Sequence, residues 1–196
     1  MIYISQTSIS SFEGIFNGND KTIKNLIINI SNTDQSPFVG LFGNNKGEIS
    51  NLRIMGEINI SENLENTTLY IGMIAGKNDG KIETCRTEGT IVANINGANS
   101  YAEVAGIVGE NTGEITDSSS NVNITSNQLK AGITAKNIKQ ENVTNSGKVT
   151  NCTNTGDIKE EKSTNNYTAA NFPCILPSLV QLVMLPFWFW ATIPAV

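Results

Sequence analysis

Histidine is absent from all 196 residues of this chain, and only 16% of them are charged. Without imidazole there is no serine or cysteine triad of the usual kind and no His-Glu-x-x-His helix, and most zinc hydrolase sites are ruled out. Arginine is nearly as scarce. Arg53 and Arg86 are the only two, no basic stripe accompanies them, and the net charge is −5, so nucleic acid is not an expected partner. Cysteine is limited to Cys85, Cys152 and Cys174, an odd number that makes no disulfide framework. Also missing are the short Gly-Gly-x-Gly-x-Asp nonapeptides of calcium-binding repeats. No catalytic constellation, metal or cofactor is expected, and the chain reads as a non-enzyme. Met1–Ser5 carries neither the basic region nor the apolar run of a secretory signal, yet the first repeat begins almost at once. The chain therefore reads as a piece of something longer.

What is present is a repeat. A Gly-x-Ile or Gly-x-Val signal recurs at Gly47, Gly80, Gly113 and Gly147, at intervals of 33, 33 and 34 residues. Behind Gly47, residues Leu52, Ile54, Gly56, Ile58 and Ile60 alternate with polar ones, and later copies do the same. Period two puts one set of side chains on one face of an extended chain, whereas a helical repeat needs 3.6. A second block closes each copy: Val39–Gly43, Ile71–Gly76, Val104–Gly109 and a worn Ala131–Ala135. Polar turns follow at Asn44–Gly47, Asn78–Gly80, Asn111–Gly113 and Asn145–Gly147. Glycine and asparagine tolerate positive φ, so these turns are expected corners.

Equivalent residues then form columns: Ile49, Ile82, Ile115 and Val149; Leu52, Cys85, Ser118 and Cys152; Ile58, Ile91, Ile124 and Ile158. One copy cannot bury its apolar face alone, whereas a stack can. The expected fold is all-β, a parallel β-solenoid of about four to five coils with about three short strands each. Its domain runs over 1–165, with repeats near 12–46, 47–79, 80–112, 113–146 and 147–165. Val122, standing where Gly56 and Gly89 occur, predicts an irregularity in the third copy, and Lys136 to Val143 is expected to bulge outward. Cys85 and Cys152 lie two coils apart, roughly 9–10 Å between Cα atoms, too far for a disulfide. They are expected to be free buried thiols.

The stretch Phe12–Leu26, followed by Val39-Gly40-Leu41-Phe42-Gly43 and Gly47-Glu48-Ile49-Ser50-Asn51-Leu52, resembles the opening of GLUG-motif repeats. Gly106–Asn111 looks like a further copy. Such repeats occur in large secreted or wall-attached bacterial proteins, including adhesin-like proteins and non-catalytic regions of immunoglobulin A1 protease-like metallopeptidases. The resemblance covers about residues 10–160. It implies a right-handed parallel β-helix and an extracellular or cell-surface location.

Carboxylate chemistry on a β-helix face would need clustered acids, and the candidates are Glu48, Asp79, Glu83, Glu114, Asp117 and Asp157. Glu48 and Glu114 share a column with Lys81 and Lys148, which reads as a solvated ladder of alternating charge. The row Ser50, Glu83, Thr116 and Thr150 is broken by its glutamate as a candidate ice- or polysaccharide-binding face. The expected function is a non-catalytic binding or spacer module. Its contacts would be the loops Ser31–Pro37, Ser61–Thr68 and Ala98–Glu103, with a host-surface protein or polysaccharide as ligand. The alternative is the accessory β-helix of a secreted metallopeptidase or a degenerate polysaccharide-active enzyme. Residues 166–196 form an apolar tail interrupted by Pro173, Pro177, Pro186 and Pro194, with a short helix expected over Ser178–Leu185. A non-native tail, a membrane contact through 172–196 and a hydrophobic cap on the last coil are its three readings.

Overall fold

The structure is a computed structural model that describes residues 2–4, 9–30, 36–141, 143–144 and 146–160. The apolar tail and most of the Ser31–Pro37 loop lie outside the described residues. Every strand pairing is parallel, and the described chain contains no helix. The protein is a β-solenoid, and its four sheets run the length of the stack.

The N-terminal winding comprises β1 (Ile2–Ile4), β2 (Ile9–Phe12), β3 (Ile15–Asn17) and β4 (Thr22–Asn29). Then come β5 (Phe38–Val39), β6 (Phe42–Asn45), β7 (Glu48–Ser50) and β8 (Arg53–Asn63). The same four-strand order repeats as β9 (Thr68–Gly72), β10 (Ala75–Asn78), β11 (Lys81–Glu83) and β12 (Arg86–Asn96). It repeats again as β13 (Tyr101–Ala105), β14 (Val108–Asn111), β15 (Glu114–Thr116) and β16 (Ser119–Ser126). The last winding holds β17 (Leu129–Ala131), β18 (Thr134–Asn137), β19 (Lys148–Thr150), β20 (Thr153–Asn154) and β21 (Ile158–Glu160). Each regular coil thus has four strands, not three, because the closing block bends at Gly40–Leu41, Met73–Ile74 and Gly106–Ile107 into two separate strands. The broad sheet is β1-β4-β8-β12-β16-β20, with β21 also on β16; the others are β2-β6-β10-β14-β18, β3-β7-β11-β15-β19 and β5-β9-β13-β17.

The aliphatic columns stack as alternation requires. Ile49, Ile82, Ile115 and Val149 are in register, as are Ile58, Ile91, Ile124 and Ile158. Val122 causes no irregularity: it sits in register on Gly89 and is fully buried. The interior tapers along the stack. Ile54 gives way to Thr87, Ser120 and Asn154, and Ile60 to Ala93 and Ser126. At the wide end, Phe12, Phe16 and Phe42 form a ring cluster with centroids 5.1–6.5 Å apart. At the narrow end, buried Lys130 occupies the column of Val39, Ile71 and Val104 and donates to the Gln128 carbonyl at 3.2 Å.

The turns differ from expectation in three ways. First, Asn45, Asn78 and Asn111 are fully buried, forming an internal amide ladder. Asn45 Nδ2 donates to Asn78 Oδ1 at 2.7 Å, Asn78 to Asn111 at 2.7 Å, and Asn111 to Asn137 at 2.8 Å. The fourth rung is Asn137. Second, positive φ falls on Gly147 but not on Gly47, Gly80 and Gly113; it recurs instead on the next corner, at Asn51, Thr84, Asp117 and Asn151. Gly47, Gly80 and Gly113 are glycine because a Cβ would run into the carbonyl of the glycine one coil earlier. Third, the 34-residue interval before Gly147 is two compensating changes. The ladder asparagines are 33 apart until Asn111 and then 26 apart, seven fewer. From Asn137 to Lys148 the chain then spends 11 positions where Asn111 to Glu114 takes three, eight more. The outward excursion accordingly starts after Asn137, since Lys136 and Asn137 belong to β18.

The expected contact loops are shorter than their sequence suggested. Ser61–Asn63 extends β8 and pairs with Asn94–Asn96, and Tyr101–Glu103 belongs to β13. What lies between is itself stacked: Asn66 N donates to Ala98 O at 3.0 Å, and Ser100 Oγ to Leu64 O at 2.8 Å. In the shortened coil, Asn127 and Gln128 replace this loop. Asn127 accepts from Ile95 N at 3.1 Å and donates to Ile95 O at 3.0 Å; Gln128 accepts from Ala102 N at 3.1 Å and donates to Ile95 O at 2.8 Å. Two side-chain amides thus stand in for the deleted backbone, which keeps the strand ends satisfied.

Candidate binding groove

The glycine column makes a site. Because Gly14, Gly47, Gly80 and Gly113 carry no side chain, the corner before the sheet containing β7 and β11 is a trough along the stack. The glycines hold it straight: Glu48 N donates to Gly14 O at 2.9 Å, Lys81 N to Gly47 O at 2.8 Å, and Glu114 N to Gly80 O at 2.9 Å. Residues before the glycines form one wall (Glu13, Lys46, Asp79, Thr112), and residues after them the other (Ile15, Glu48, Lys81, Glu114). Two concavities of about 400 and 530 Å³ lie end to end and share Gly80 and Lys81. The excursion closes one end with Gln140, Val143, Thr144 and Ser146. Its anchor is Ser146, whose Oγ donates to Thr112 O at 2.9 Å and accepts from Gln140 N at 2.8 Å. Ile15, 79% exposed, marks the opposite end, and Val143, 49% exposed, this one.

The walls are largely neutralised. Lys46 pairs with Glu13 at 3.0 Å, Lys148 with Glu114 at 2.6 Å, Lys81 with Glu83 at 2.8 Å, and Lys77 with Asp79 at 3.1 Å. The column Glu48, Lys81, Glu114, Lys148 is in register, though Lys81 reaches along its own strand to Glu83. Burial opposes ionisation of Asp79, but hydrogen bonds from Thr112, Asn44 and Lys77 outweigh it and hold the carboxyl below its usual range.

The six candidate acids are not assembled into one cluster. Asp79 and Glu114 line the larger concavity and Glu48 the smaller, while Glu83 is tied to Lys81. Asp117 lies at the following corner and accepts from Asn151 Nδ2 at 3.1 Å; Asp157 lies between β20 and β21, 3.4 Å from Lys159. An acid pair that was not anticipated lies elsewhere, at Glu103 and Glu110. Lys136 Nζ bridges Glu110 at 2.9 Å and Glu103 at 3.3 Å, where the strands β13 and β14 meet. Burial raises the Glu103 pKa against the opposing charge of Lys136, and Tyr70 is raised by burial and by Glu110 and Glu103. The clue was the column Lys77, Glu110, Lys136, hidden because its last step is 26 residues. Cys85 and Cys152 are both buried, and burial pushes the Cys85 thiol up to about 11. Among the described residues no group of His, Cys, Asp and Glu is arranged to hold a metal.

Fold and groove together define a parallel β-solenoid with a longitudinal polar corner groove. No protein-family model, curated protein or solved structure matches the chain.

Proposed function

We propose that the chain is a non-catalytic binding and spacer module that holds an extended polar ligand along its corner groove. The groove is the observation that carries this: it is straight, glycine-floored and lined by ion pairs that can exchange partners with a ligand. Exposed Ile15 and Val143 mark its two ends. A continuous stack with an aliphatic interior suits a rigid spacer, since each coil is braced by its neighbours. The resemblance to GLUG-motif repeats supports a bacterial extracellular or cell-surface setting, with a host protein or polysaccharide as ligand.

The test is a glycan and peptide array probed with the full chain, repeated with Val143→Asp and Lys81→Glu. Saturable binding without turnover is expected, weakened about tenfold by each substitution. Binding that neither substitution changes, or no binding to any array member, overturns it. The Glu103–Lys136–Glu110 cluster favours the second reading, a degenerate polysaccharide-active region. Cleavage of a uronate polymer by the full chain, lost in Glu103→Gln, would replace the first reading with the second.

A further inference from the structure

We infer that Arg53, Arg86 and the neighbouring lysines form a carboxylate-recognition site for a uronate polysaccharide on the broad sheet. The two arginines of the chain are direct register partners on β8 and β12, both exposed on the same face. Neighbouring strands lie about 4.8 Å apart, so two like charges are held side by side, which weakens a sheet. Elsewhere the chain avoids this. Lys46, Lys77, Lys81, Lys136, Lys148 and Lys159 each pair with an acid.

Lys139 aside, the exposed cations that make no ion pair among the described residues are Lys21, Lys24, Arg53 and Arg86. All four gather at one end of the broad sheet. Thr22 is the register partner of Arg53, so Lys21 precedes the arginine column. Lys24 lies in the register shift between Ile23 and Leu26, beside the same strand. The rest of the column is Thr22, Ser119 and Thr153, all hydroxyl side chains. The unneutralised charge is therefore local, and it is set among hydrogen-bonding groups.

The chemistry of the ligand follows from the surroundings. A guanidinium fork matches a planar carboxylate through two parallel bonds. Asn59, Thr90, Asn121, Asn123 and Thr125 continue the face and suit neutral hydroxyls between carboxylates. Glu57 and Glu88 follow on the same face, without an ion pair among the described residues, and would repel a polymer that carries more than one charge per sugar. Nucleic acid fits poorly, because the net charge is −5 and Glu57 and Glu88 interrupt the basic patch. This assignment rests on the reading of the chain as a binding module, but it uses a different face from the groove.

The experiment titrates the full chain with polygalacturonate, dextran sulfate, unmodified dextran and phosphatidylserine vesicles at low salt. Saturable binding to polygalacturonate is expected, with affinity reduced at least about tenfold by Arg53→Gln or Arg86→Gln. Lys139→Gln, in the outward excursion and off the broad sheet, should leave it unchanged. Arg53→Lys with Arg86→Lys keeps the charge and loses the fork, and is expected to bind several-fold more weakly. Thermal unfolding should show each glutamine variant folded and no less stable, since an exposed repulsive pair is removed. The assignment is overturned by no saturable polygalacturonate binding, or by full affinity in the glutamine or lysine variants. Tighter capture of dextran sulfate, dextran or vesicles overturns it too. Val143→Asp, which disables the groove, separates the two sites: loss of array binding with polygalacturonate binding intact leaves this proposal standing alone.

Discussion

Thr87 shows how a single side chain can sit in the interior at a cost. It is buried between Ile54 and Ser120, and its Oγ1 has no hydrogen-bond partner. A buried hydroxyl without a partner costs free energy that a methyl group of the same shape does not. Thr87→Val is therefore expected to stabilise the fold by about 1 kcal/mol in urea unfolding. Asp79 gives the pH dependence. Its folded carboxyl titrates below the usual range, so its stabilisation is present above the unfolded value near 4 and lost as pH falls through the folded one. Asp79→Asn should flatten the acid limb of a stability-against-pH curve measured between neutrality and pH ~3. A limb as steep as in the parent would assign the effect elsewhere.

Columns, more than strands, are the elements of this molecule. The asparagine ladder satisfies its own amides from coil to coil and also caps the corner carbonyls, as when Asn78 Nδ2 reaches Glu114 O at 3.2 Å. Asn78→Ala would leave Asn45 Nδ2 and Asn111 Oδ1 each without a ladder partner, and about 3 kcal/mol of destabilisation is expected by denaturant titration. The side-chain patch over the deleted loop is a second such element. Gln128→Ala removes the partners of Ala102 N–H and one partner of Ile95 C=O, for an expected loss of roughly 2 kcal/mol. Amide exchange should rise most at Ala102, and unchanged exchange there would refute the patch. Alternation and the glycine spacing made the columns legible, and Ile49, Ile82 and Ile115 stack as the pattern required. The ladder was not legible, because Asn in a turn motif looks the same whether its side chain faces water or the interior. The groove was hidden too, since its glycines read as conformational rather than as absent side chains.

For the whole molecule, stacking makes stability a matter of neighbours. The strand β12 is paired along its full length by β8 and over Arg86–Ala93 by β16, whereas among the described residues β21 pairs only with β16, and the interior grows more polar toward that end. Native-state hydrogen exchange is expected to be slowest in β11 and β12 and to quicken through β19, β20 and β21. Uniform protection would contradict a stack of locally braced coils.

The sequence alone determined that the chain is β, that its unit is a coil of about 33 residues and that aliphatic side chains stack within it. Those properties follow from periodicity, which is local and repeats along the chain. The tertiary structure decided the rest: four strands per coil, the deletion and excursion concealed in one interval, the buried amide ladder, and the pairing of Arg53 with Arg86. Each depends on which residue of one winding faces which residue of the next. That is a relation between positions far apart in the chain, and a shortened coil changes it without leaving a mark in the local pattern.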